Sequence, residues 1–452
     1  MITVPDPAAL LATLRADGHP GLPHVDVRIG ASVMDGAIAD SAERFQTEPV
    51  ILSDGGPYRT EAGSVVDRIA RHLGCPVIQL GRGTVRADEE TVERAVAEVG
   101  EHRLLVSVGS GTLTDIAKVT AVRTGNHHVA VQTACSINGF IADRSVLVIA
   151  GAKRTVHSRW PDVLVADTDI LAAAPWQLNL AGVGDLSTVP NAVAEWRLAA
   201  RLGHGPPYRP AVVDNILAAN HVLPALARAA RDSEPAGIAD LARLLAASGL
   251  SMGIVGSTAP ASGTEHAVSH LMEMARTRQG RPAAAHGMQV TVATRLAVRV
   301  WQLVDATIRS MDAKVRTPEA ATSRDAVARA FAEFDPQTAE ECWTAYRAKR
   351  NWLLAHQSAV ETLVSDWDAF ARSLALATPE QFDEISDASG LPRTAQDLGV
   401  DYDDDLLFWA LRNSHLLRDR ISIVDLADLL GVWSDDTAWS IVADAAKAGT
   451  KG

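Results

Sequence analysis

The chain has 452 residues, of which 47% are hydrophobic and 21% are charged. These values exclude a disordered or fibrous protein and predict more than one globular domain. A formal net charge of −13 argues against binding to a nucleic-acid backbone, and three widely spaced cysteines exclude a zinc ribbon or a disulfide framework.

The N-terminal segment lacks the basic region and apolar stretch of a secretory signal. No run approaches the roughly 18 uninterrupted apolar residues of a membrane-spanning helix. The odd number of cysteines fits reduced thiols. We therefore expect a cytoplasmic protein with neither a membrane nor a nucleic-acid partner.

Short apolar runs alternate with helical patterns over residues 49–172, which is typical of parallel strands joined by crossover helices. We predict that residues 1–174 form an α/β domain of the nucleotide-binding type, with a Rossmann-like parallel sheet. The predicted strands are residues 50–52, 77–80, 104–108, 129–131 and 163–166.

The pattern changes beyond about Pro175, where stretches rich in Ala, Leu and Arg replace the β-branched runs. This composition favours helices, so residues 175–452 are predicted to form an all-α domain. The clearest helical stretches are residues 211–232, 236–250, 282–313 and 323–347.

The strand at 104–108 leads into a turn of small residues, Gly109, Ser110, Gly111 and Thr112, and then into a helical pattern. Backbone N–H groups at the start of a helix can bind an anion such as a pyrophosphate. The turn is not a GxGxxG motif, and small residues also occur between strands and helices for steric reasons alone. Both explanations stay open on these residues.

A second loop follows the strand at 129–131, where open α/β sheets place ligand-binding loops. Its Thr133, Ser136 and Asn138 carry hydroxyl and amide groups that suit a phosphate or a polar substrate. An ordinary turn built from capping residues explains the same loop.

Four residues in the helical part could form a metal site. His266 and His270 are spaced i and i+4, so they share one helix face, and Asp185 and His286 are expected at the starts of other helices. One carboxylate and two imidazoles leave an open position for water or substrate, as catalytic metal sites require.

The same residues have a purely structural explanation. Asp185 stands where an N-cap is expected, and Ser262 and Glu265 have the spacing of a capping box. Spacing alone does not choose between caps and a metal site.

Taken in order, these motifs resemble those of the iron-containing alcohol dehydrogenase and dehydroquinate synthase-like superfamily, and within it the sn-glycerol-1-phosphate dehydrogenase family. Residues 109–118 resemble the family's Gly-rich stretch with its Asp-x-Ala-Lys ending, and residues 133–139 resemble its Thr-Ala-x-Ser-x-Asp-Gly loop. The Gly-x-Gly-Asp-Leu, Ser-Gly-x-Glu-His-x-x-Ser-His and His-Gly motifs follow in the family's order, and residues 166–175 and 418–427 extend the resemblance.

The resemblance implies a dehydroquinate synthase-like fold and an NAD- or NADP-linked, metal-dependent oxidoreductase that forms a homodimer. It places the metal on Asp185, His266 and His286, and it places His270 near the nicotinamide or the substrate. These four residues are the implied catalytic set. Zinc, nickel and iron all suit such ligands.

The resemblance also assigns cofactor contacts. Asp54 is implied for the adenosine ribose, and a carboxylate there favours NAD over NADP, although neighbouring residues could override it. The other implied cofactor-binding residues are Gly109, Ser110, Gly111 and Thr112 for the pyrophosphate, Thr133 and Ser136 on the nicotinamide side, and Asp115.

Two departures from the family pattern concern the substrate. Asn138 stands where the family usually has Asp, and Met288-Gln289 follows His286-Gly287 where Glu is common. A phosphorylated substrate would need a cation, for which Lys153, Arg154 and His157 are candidates, although a solvated basic surface explains them as well. Asn138 and Lys153 are the predicted substrate residues.

The implied activity is reversible hydride transfer between NAD(P)H and a small polyol or ketone, with dihydroxyacetone phosphate and sn-glycerol 1-phosphate as the example. A redox-neutral lyase or cyclase of the dehydroquinate synthase type, in a biosynthetic pathway, would use the same metal and nicotinamide. The fold does not separate these chemistries. A binding protein descended from the enzyme is the third alternative.

Overall fold

The computed structural model describes residues 4–19, 21–56, 58–61, 63–81, 85–310, 315–316 and 323–449. The chain forms two compact units. The first consists of Met1–Ile149, Lys153–Leu186 and Pro210–Thr258, and the second of Ala150–Ala152, Ser187–Arg209 and Ala259–Gly452.

The first unit contains a six-stranded parallel sheet and two short two-stranded sheets. The strands in chain order are β1 (Asp26–Gly30), β2 (Pro49–Ser53), β3 (Arg59–Thr60), β4 (Gly63–Ser64), β5 (Val77–Gln79), β6 (Leu104–Gly109), β7 (His127–Gln132), β8 (Arg144–Ile149), β9 (Ala152–His157) and β10 (Val163–Asp167). The large sheet has the order β1-β10-β7-β6-β2-β5, while β3 pairs with β4 and β8 pairs with β9.

All five predicted strands are present, as β2, β5, β6, β7 and β10. Strand β1, whose five residues are only partly buried, was not predicted from the sequence. An edge strand of this kind shows no continuous apolar run, because that run comes from burial on both faces.

Helices cover both faces of the sheet. They are α1 (Pro7–Ala16), α2 (Met34–Phe45), α3 (Val65–Leu73), α4 (Glu89–Val99), α5 (Gly111–Thr124), α6 (Thr168–Ala172) and α7 (Trp176–Ser187). Alternate residues of β6 point to opposite faces. Val106 packs in a core with Ile38 and Ile69, whereas Leu105 packs in a second core with Ile116.

After α8 (Val189–Leu202) come α9 (Pro210–Ala218), α10 (Leu223–Arg231) and α11 (Pro235–Val255), and these three belong to the first unit. The predicted boundary at 174/175 lies between α6 and α7, within the first unit. Helix α11 packs against α1, α6, α9, α10 and β1.

Among the described residues, α11 alone is long and apolar enough to cross a membrane, by length and composition. In its most apolar stretch, 78% of the residues are buried in the protein. The core helix of a soluble protein passes the same test, so α11 is weak support for a membrane span.

The second unit is helical around a large apolar core. Besides α8 it contains α12 (Thr264–Arg278), α13 (His286–Arg309), α14 (Arg324–Ala330), α15 (Pro336–Ala355), α16 (Gln357–Ser365), α17 (Trp367–Arg372), α18 (Pro379–Ser389), α19 (Asp404–Asn413), α20 (Ile423–Leu429) and α21 (Asp435–Gly449). The predicted fold class, a parallel α/β part followed by a helical part, is confirmed.

Candidate functional site

The carboxyl ends of three neighbouring strands, β7, β6 and β2, carry most of the residues predicted to bind the cofactor. Asp54 follows β2, Ser110 follows β6, and the loop from Thr133 to Asn138 follows β7. In a parallel sheet these ends lie at one edge, which is where open α/β folds bind nucleotides. The structure thus brings these predicted residues to one edge of the first unit.

The turn between β6 and α5 has a tight steric fit. Ser110 is the N-cap of α5, and the first helical hydrogen bond runs from the Thr114 N–H to the Ser110 carbonyl. A Cβ on Gly111 would overlap the Ile137 side chain. Lack of space for a side chain therefore explains why residue 111 is a glycine. The N–H groups that precede Thr114 in the helix have no acceptor within it, as an anion site requires.

Asp115 and Lys118, one turn further along α5, form a buried ion pair with a distance of 3.1 Å between Oδ1 and Nζ. Asp115 accepts a hydrogen bond from the Val146 N–H, and Lys118 donates to the carbonyls of Gly139 and Ala142. The pair therefore holds the chain that follows β7. A contact between Asp115 and the cofactor stays a prediction.

Helices α7 and α11 hold the loop after β7. The Cys135 N–H donates to the Asn179 side chain at 2.8 Å, and the Asn138 Nδ2 donates to the Ser248 Oγ at 3.2 Å. A Cβ on Gly182 would overlap the Cys135 carbonyl oxygen.

Thr133, Ser136 and Asn138 are consequently buried together in a fixed loop. Asn179 and Ser248 were missed from the sequence. The sequence signal that could have revealed these contacts is a glycine inside a helix, such as Gly182 in α7 or Gly249 in α11, because such a glycine indicates that another backbone segment approaches closely.

Asp54 accepts hydrogen bonds from the Tyr58 hydroxyl, at 2.7 Å to both carboxylate oxygens, and from the Gly56 N–H. Burial, with the Asp54 carboxylate as a further cause, raises the pKa of Tyr58. Tyr58 was not predicted, and it orients the carboxylate expected to meet the ribose.

Lys153, Arg154 and His157 lie in strand β9. Lys153 is partly buried, whereas the His157 side chain is 74% exposed and lies 3.7 Å from Asp143. A substrate contact for Lys153 stays a prediction.

In the second unit, the three predicted histidines form a cluster. His266 and His270 lie in the first two turns of α12, and His286 is the first residue of α13. The ring centroids are 5.2 Å apart for His266 and His286, 5.6 Å for His270 and His286, and 6.3 Å for His266 and His270. The spacing of i and i+4 correctly predicted a shared helix face.

Glu273 joins this cluster and was missed. Its Oε1 lies 3.5 Å from the His286 Nδ1. His270, Glu273 and His286 offer ligand atoms within 4.8 Å of one another, so they form one group of the second unit that could hold a metal ion. Glu273 is at i+3 from His270 and i+7 from His266, which is the spacing that could have revealed it.

The start of α12 differs from the predicted capping box. Gly263 is the N-cap, and Glu265 Oε1 accepts a hydrogen bond from the Gly263 N–H. The Ser262 hydroxyl accepts a hydrogen bond from Arg418 and caps nothing. The same Glu265 oxygen lies 3.1 Å from the His266 Nδ1, so it holds the histidine ring.

A second carboxylate, Glu195, is buried beside Glu265. It accepts hydrogen bonds from the N–H groups of Thr264 and Ile423. Burial, and then the charge of Glu265, raise the pKa of Glu195 to about 7, against a lowering effect of the Arg420 charge. Glu195 and Glu265 thus form a buried acidic pair beside the start of α12, and Glu265 is the member that contacts His266.

Asp185 is not at a helix start, as expected from the sequence, but in the last turn of α7, where it is buried. Its Oδ2 accepts a hydrogen bond of 2.8 Å from the Asn138 N–H. The N-cap explanation for Asp185 is therefore wrong. A carboxylate at this end of a helix meets the negative end of the helix dipole, so a nearby cation stabilises it.

The iron-containing alcohol dehydrogenase family matches residues 31–175. The glycerol-1-phosphate dehydrogenase [NAD(P)+] of Halobacterium salinarum is 30% identical over 312 residues, which cover 67% of this chain and 86% of the relative. The enzyme of that name from Bacillus subtilis is 30% identical over 283 residues, which cover 60% of this chain and 70% of the relative.

Solved structures show the same fold. The glycerol dehydrogenase of Schizosaccharomyces pombe superposes with a TM-score of 0.60 at 15% identity, over 95% of this chain and 90% of that one. A probable glycerol dehydrogenase of Sinorhizobium meliloti gives 0.58 at 16% identity, over 95% and 98%. The chain belongs to the iron-containing alcohol dehydrogenase family and is an oxidoreductase.

Proposed function

We propose that the chain is a metal-dependent, NAD(P)H-linked dehydrogenase that interconverts dihydroxyacetone phosphate and sn-glycerol 1-phosphate. The observation that carries the proposal is the cluster of three histidines, in which His266 and His270 are buried and His286 is partly buried. The relatives that carry the name glycerol-1-phosphate dehydrogenase support the substrate.

The proposed metal ligands are Asp185, His266 and His286. The burial of Asp185 at the negative end of α7 supports its role. His270 is the less suitable ligand, because the Arg418 cation lies beside its ring and would repel a metal ion. Carboxylate and imidazole suit zinc, nickel and iron alike.

When bound, such a metal acts as a Lewis acid on the substrate oxygen and stabilises negative charge there. Glu265 orients His266 for that task, because a second hydrogen bond to a ligating histidine fixes its ring and tautomer.

The proposed cofactor site is the carboxyl edge of the sheet. The turn from Gly109 to Thr112, at the N-terminus of α5, would bind the pyrophosphate, with Asp54 at the adenosine ribose and Thr133 and Ser136 towards the nicotinamide. The Asp54 carboxylate, held by Tyr58, favours NAD, since it would repel a 2′-phosphate.

When bound, the nicotinamide would supply the hydride that reduces the ketone to a secondary alcohol, and the substrate oxygen would take up a proton. His270 is the proposed donor of a hydrogen bond to the same oxygen, which would take up its proton from water. Asn138 and Lys153 are the proposed substrate contacts, at a hydroxyl and at the phosphate.

We further propose a cytoplasmic homodimer. Static light scattering of the purified protein tests the assembly, with twice the chain mass of 47.9 kDa as the expected result. A monomer mass at enzyme-assay concentrations would contradict this part of the proposal.

The test of the activity is the decay of NADH and NADPH absorbance with protein reconstituted with zinc, nickel or iron. Dihydroxyacetone phosphate is compared with dihydroxyacetone, and metal-free protein is the control. Metal-dependent oxidation that requires the phosphate ester supports the proposal. If neither ketone causes NADH oxidation while NADH still binds, the proposal is contradicted and a redox-neutral lyase is favoured.

A further inference from the structure

Residues 415–420, between α19 and α20, pass beside the start of α12. Lys349 is fully buried, and its Nζ donates to the His415 carbonyl at 2.6 Å and to the Arg420 carbonyl at 3.3 Å. The same ammonium group pairs with Asp425 at 2.9 Å. One buried cation thus fixes both ends of the segment.

Arg418, inside this segment, reaches the histidine cluster. Its Nη1 donates to the Ser262 Oγ at 2.8 Å, and its Nη2 lies 3.2 Å from the His270 Nδ1. The neighbouring Arg420 donates to the Ser262 carbonyl. Two side-chain contacts to α12 and its preceding loop therefore fix the direction of the Arg418 guanidinium.

The contact with His270 has only one possible polarity. A guanidinium has N–H donors and no acceptor, so the His270 Nδ1 must be the acceptor and carries no proton. A neutral His270 then carries its proton on Nε2, which is on the other side of the ring from Nδ1. The hydrogen bond also holds the ring against a flip.

We propose that Arg418 is a positioning residue: it fixes the ring of His270 in the tautomer that presents Nε2–H to the substrate. This inference rests on the proposed function, in which His270 faces the substrate or nicotinamide. Arg418 acts through His270 and needs no contact with substrate. Lys349 supports this contact indirectly, because it holds both ends of the segment that carries Arg418.

The direct test is ¹⁵N NMR of the zinc-reconstituted protein labelled at histidine, with the His270 signals assigned by their loss in His270→Gln. The expected spectrum has an unprotonated Nδ1 and a protonated Nε2. In Arg418→Met both tautomers should be populated, whereas Arg418→Lys should retain the wild-type pattern, because an ammonium group also only donates. A protonated Nδ1 in the wild type would overturn the proposal.

The kinetic test separates positioning from substrate binding. Arg418→Met should lower kcat about 10- to 100-fold, which is the loss typical when a metal-ligating histidine loses its outer hydrogen bond and which we expect also for His270. The KM for dihydroxyacetone phosphate should change little, and Arg418→Lys should recover part of the loss. A larger loss on the phosphorylated ketone than on dihydroxyacetone would overturn the proposal, since it would mean a direct phosphate contact.

Arg412→Met is the matched control, because Arg412 pairs with the exposed Asp435 and should leave kcat unchanged. A double-mutant cycle completes the test: in a His270→Gln background, Arg418→Met should cost no further kcat. Additive losses would overturn the proposal. If the wild type reduces neither ketone, the proposed function fails, and the NMR spectra still decide the tautomer.

Discussion

The two units build their candidate sites in different ways. In the first unit, the site lies at strand ends and depends on backbone groups and small residues, such as Gly111 at the start of α5. In the second unit, it depends on side chains of two helices whose rings are held by outer partners, such as Glu265 on His266. The path of the backbone therefore forms most of the first site. The second site also requires that its histidine side chains are held in particular rotamers.

This comparison predicts different sensitivities. Changes at the histidine cluster should abolish chemistry without unfolding the first unit, and changes at the sheet edge should weaken cofactor binding while leaving the metal in place.

His266→Ala should remove bound metal and lower turnover more than about 100-fold, because both the Lewis acid and its site are lost. Metal content by inductively coupled plasma mass spectrometry and NADH oxidation measure the two effects. The control is His356→Ala, an exposed histidine that stacks on Trp352. Unchanged metal content in His266→Ala would remove His266 from the ligand set.

Gly111→Val should weaken NADH binding about tenfold or more and cost about 1–3 kcal/mol of stability, because its side chain would overlap Ile137 and distort the turn. Fluorescence titration and thermal unfolding measure these effects, and metal content should not change. Gly36→Val is the control, since a Cβ at Gly36 meets open space. Wild-type NADH affinity in Gly111→Val would exclude the turn from the cofactor site.

Glu265→Ala should weaken metal binding about 10- to 100-fold, whereas Glu265→Gln should lose less, because its amide oxygen still accepts from the His266 Nδ1–H. Competition with a chelator measures the affinity. Glu195→Gln serves as the control, as no hydrogen bond connects Glu195 to His266 in the structure's described part. Equal affinities for Glu265→Ala and wild type would show that Glu265 only caps α12.

The raised pKa of Glu195 makes stability depend on pH. The folded state keeps this proton up to about pH 7, while the unfolded chain releases it near the ordinary glutamate value of about 4.3. Stability therefore falls as pH rises between these values. Because the amide NH2 of a glutamine side chain cannot accept a backbone hydrogen bond, only the pH dependence is diagnostic: the Tm of Glu195→Gln relative to wild type should be about 5 °C higher at pH 8 than at pH 5. A Tm difference independent of pH would contradict the shift.

Asn138→Asp should have the smallest effect. The new carboxylate would accept from the Ser248 hydroxyl, where Asn138 now donates to it, and it would stand near Asp185, whose Oδ2 binds the Asn138 N–H. We expect a gain of less than about tenfold in kcat/KM on dihydroxyacetone phosphate, because the family's acid is restored. Ser248→Ala is the control, because it removes the hydrogen bond to Asn138 without adding a charge. A lower kcat/KM on dihydroxyacetone phosphate in Asn138→Asp would indicate that Asn138 serves a different substrate.

Much of the first unit could be predicted because burial on both faces leaves continuous apolar runs, as in residues 104–108. Strand β1 could not, since an edge strand leaves no such run. The sequence also did not predict that α9, α10 and α11 belong to the same unit as the sheet. An apolar pattern predicts that a helix is buried, but it does not indicate which core the helix packs against.

Within the site, helical spacing predicted the pairing of His266 with His270. It did not predict that Asp185 lies in the last turn of a helix, since an Asp that follows glycines is equally typical of an N-cap. Arg418 lies 148 residues from His270 in sequence, so only tertiary structure joins them.

The most direct test of the account is the metal content of three proteins prepared in parallel: wild type, Asp185→Asn and Glu273→Gln. If Asp185, His266 and His286 hold the metal, Asp185→Asn loses it and Glu273→Gln keeps it. Retention in Asp185→Asn with loss in Glu273→Gln would contradict this and place the metal on His270, Glu273 and His286.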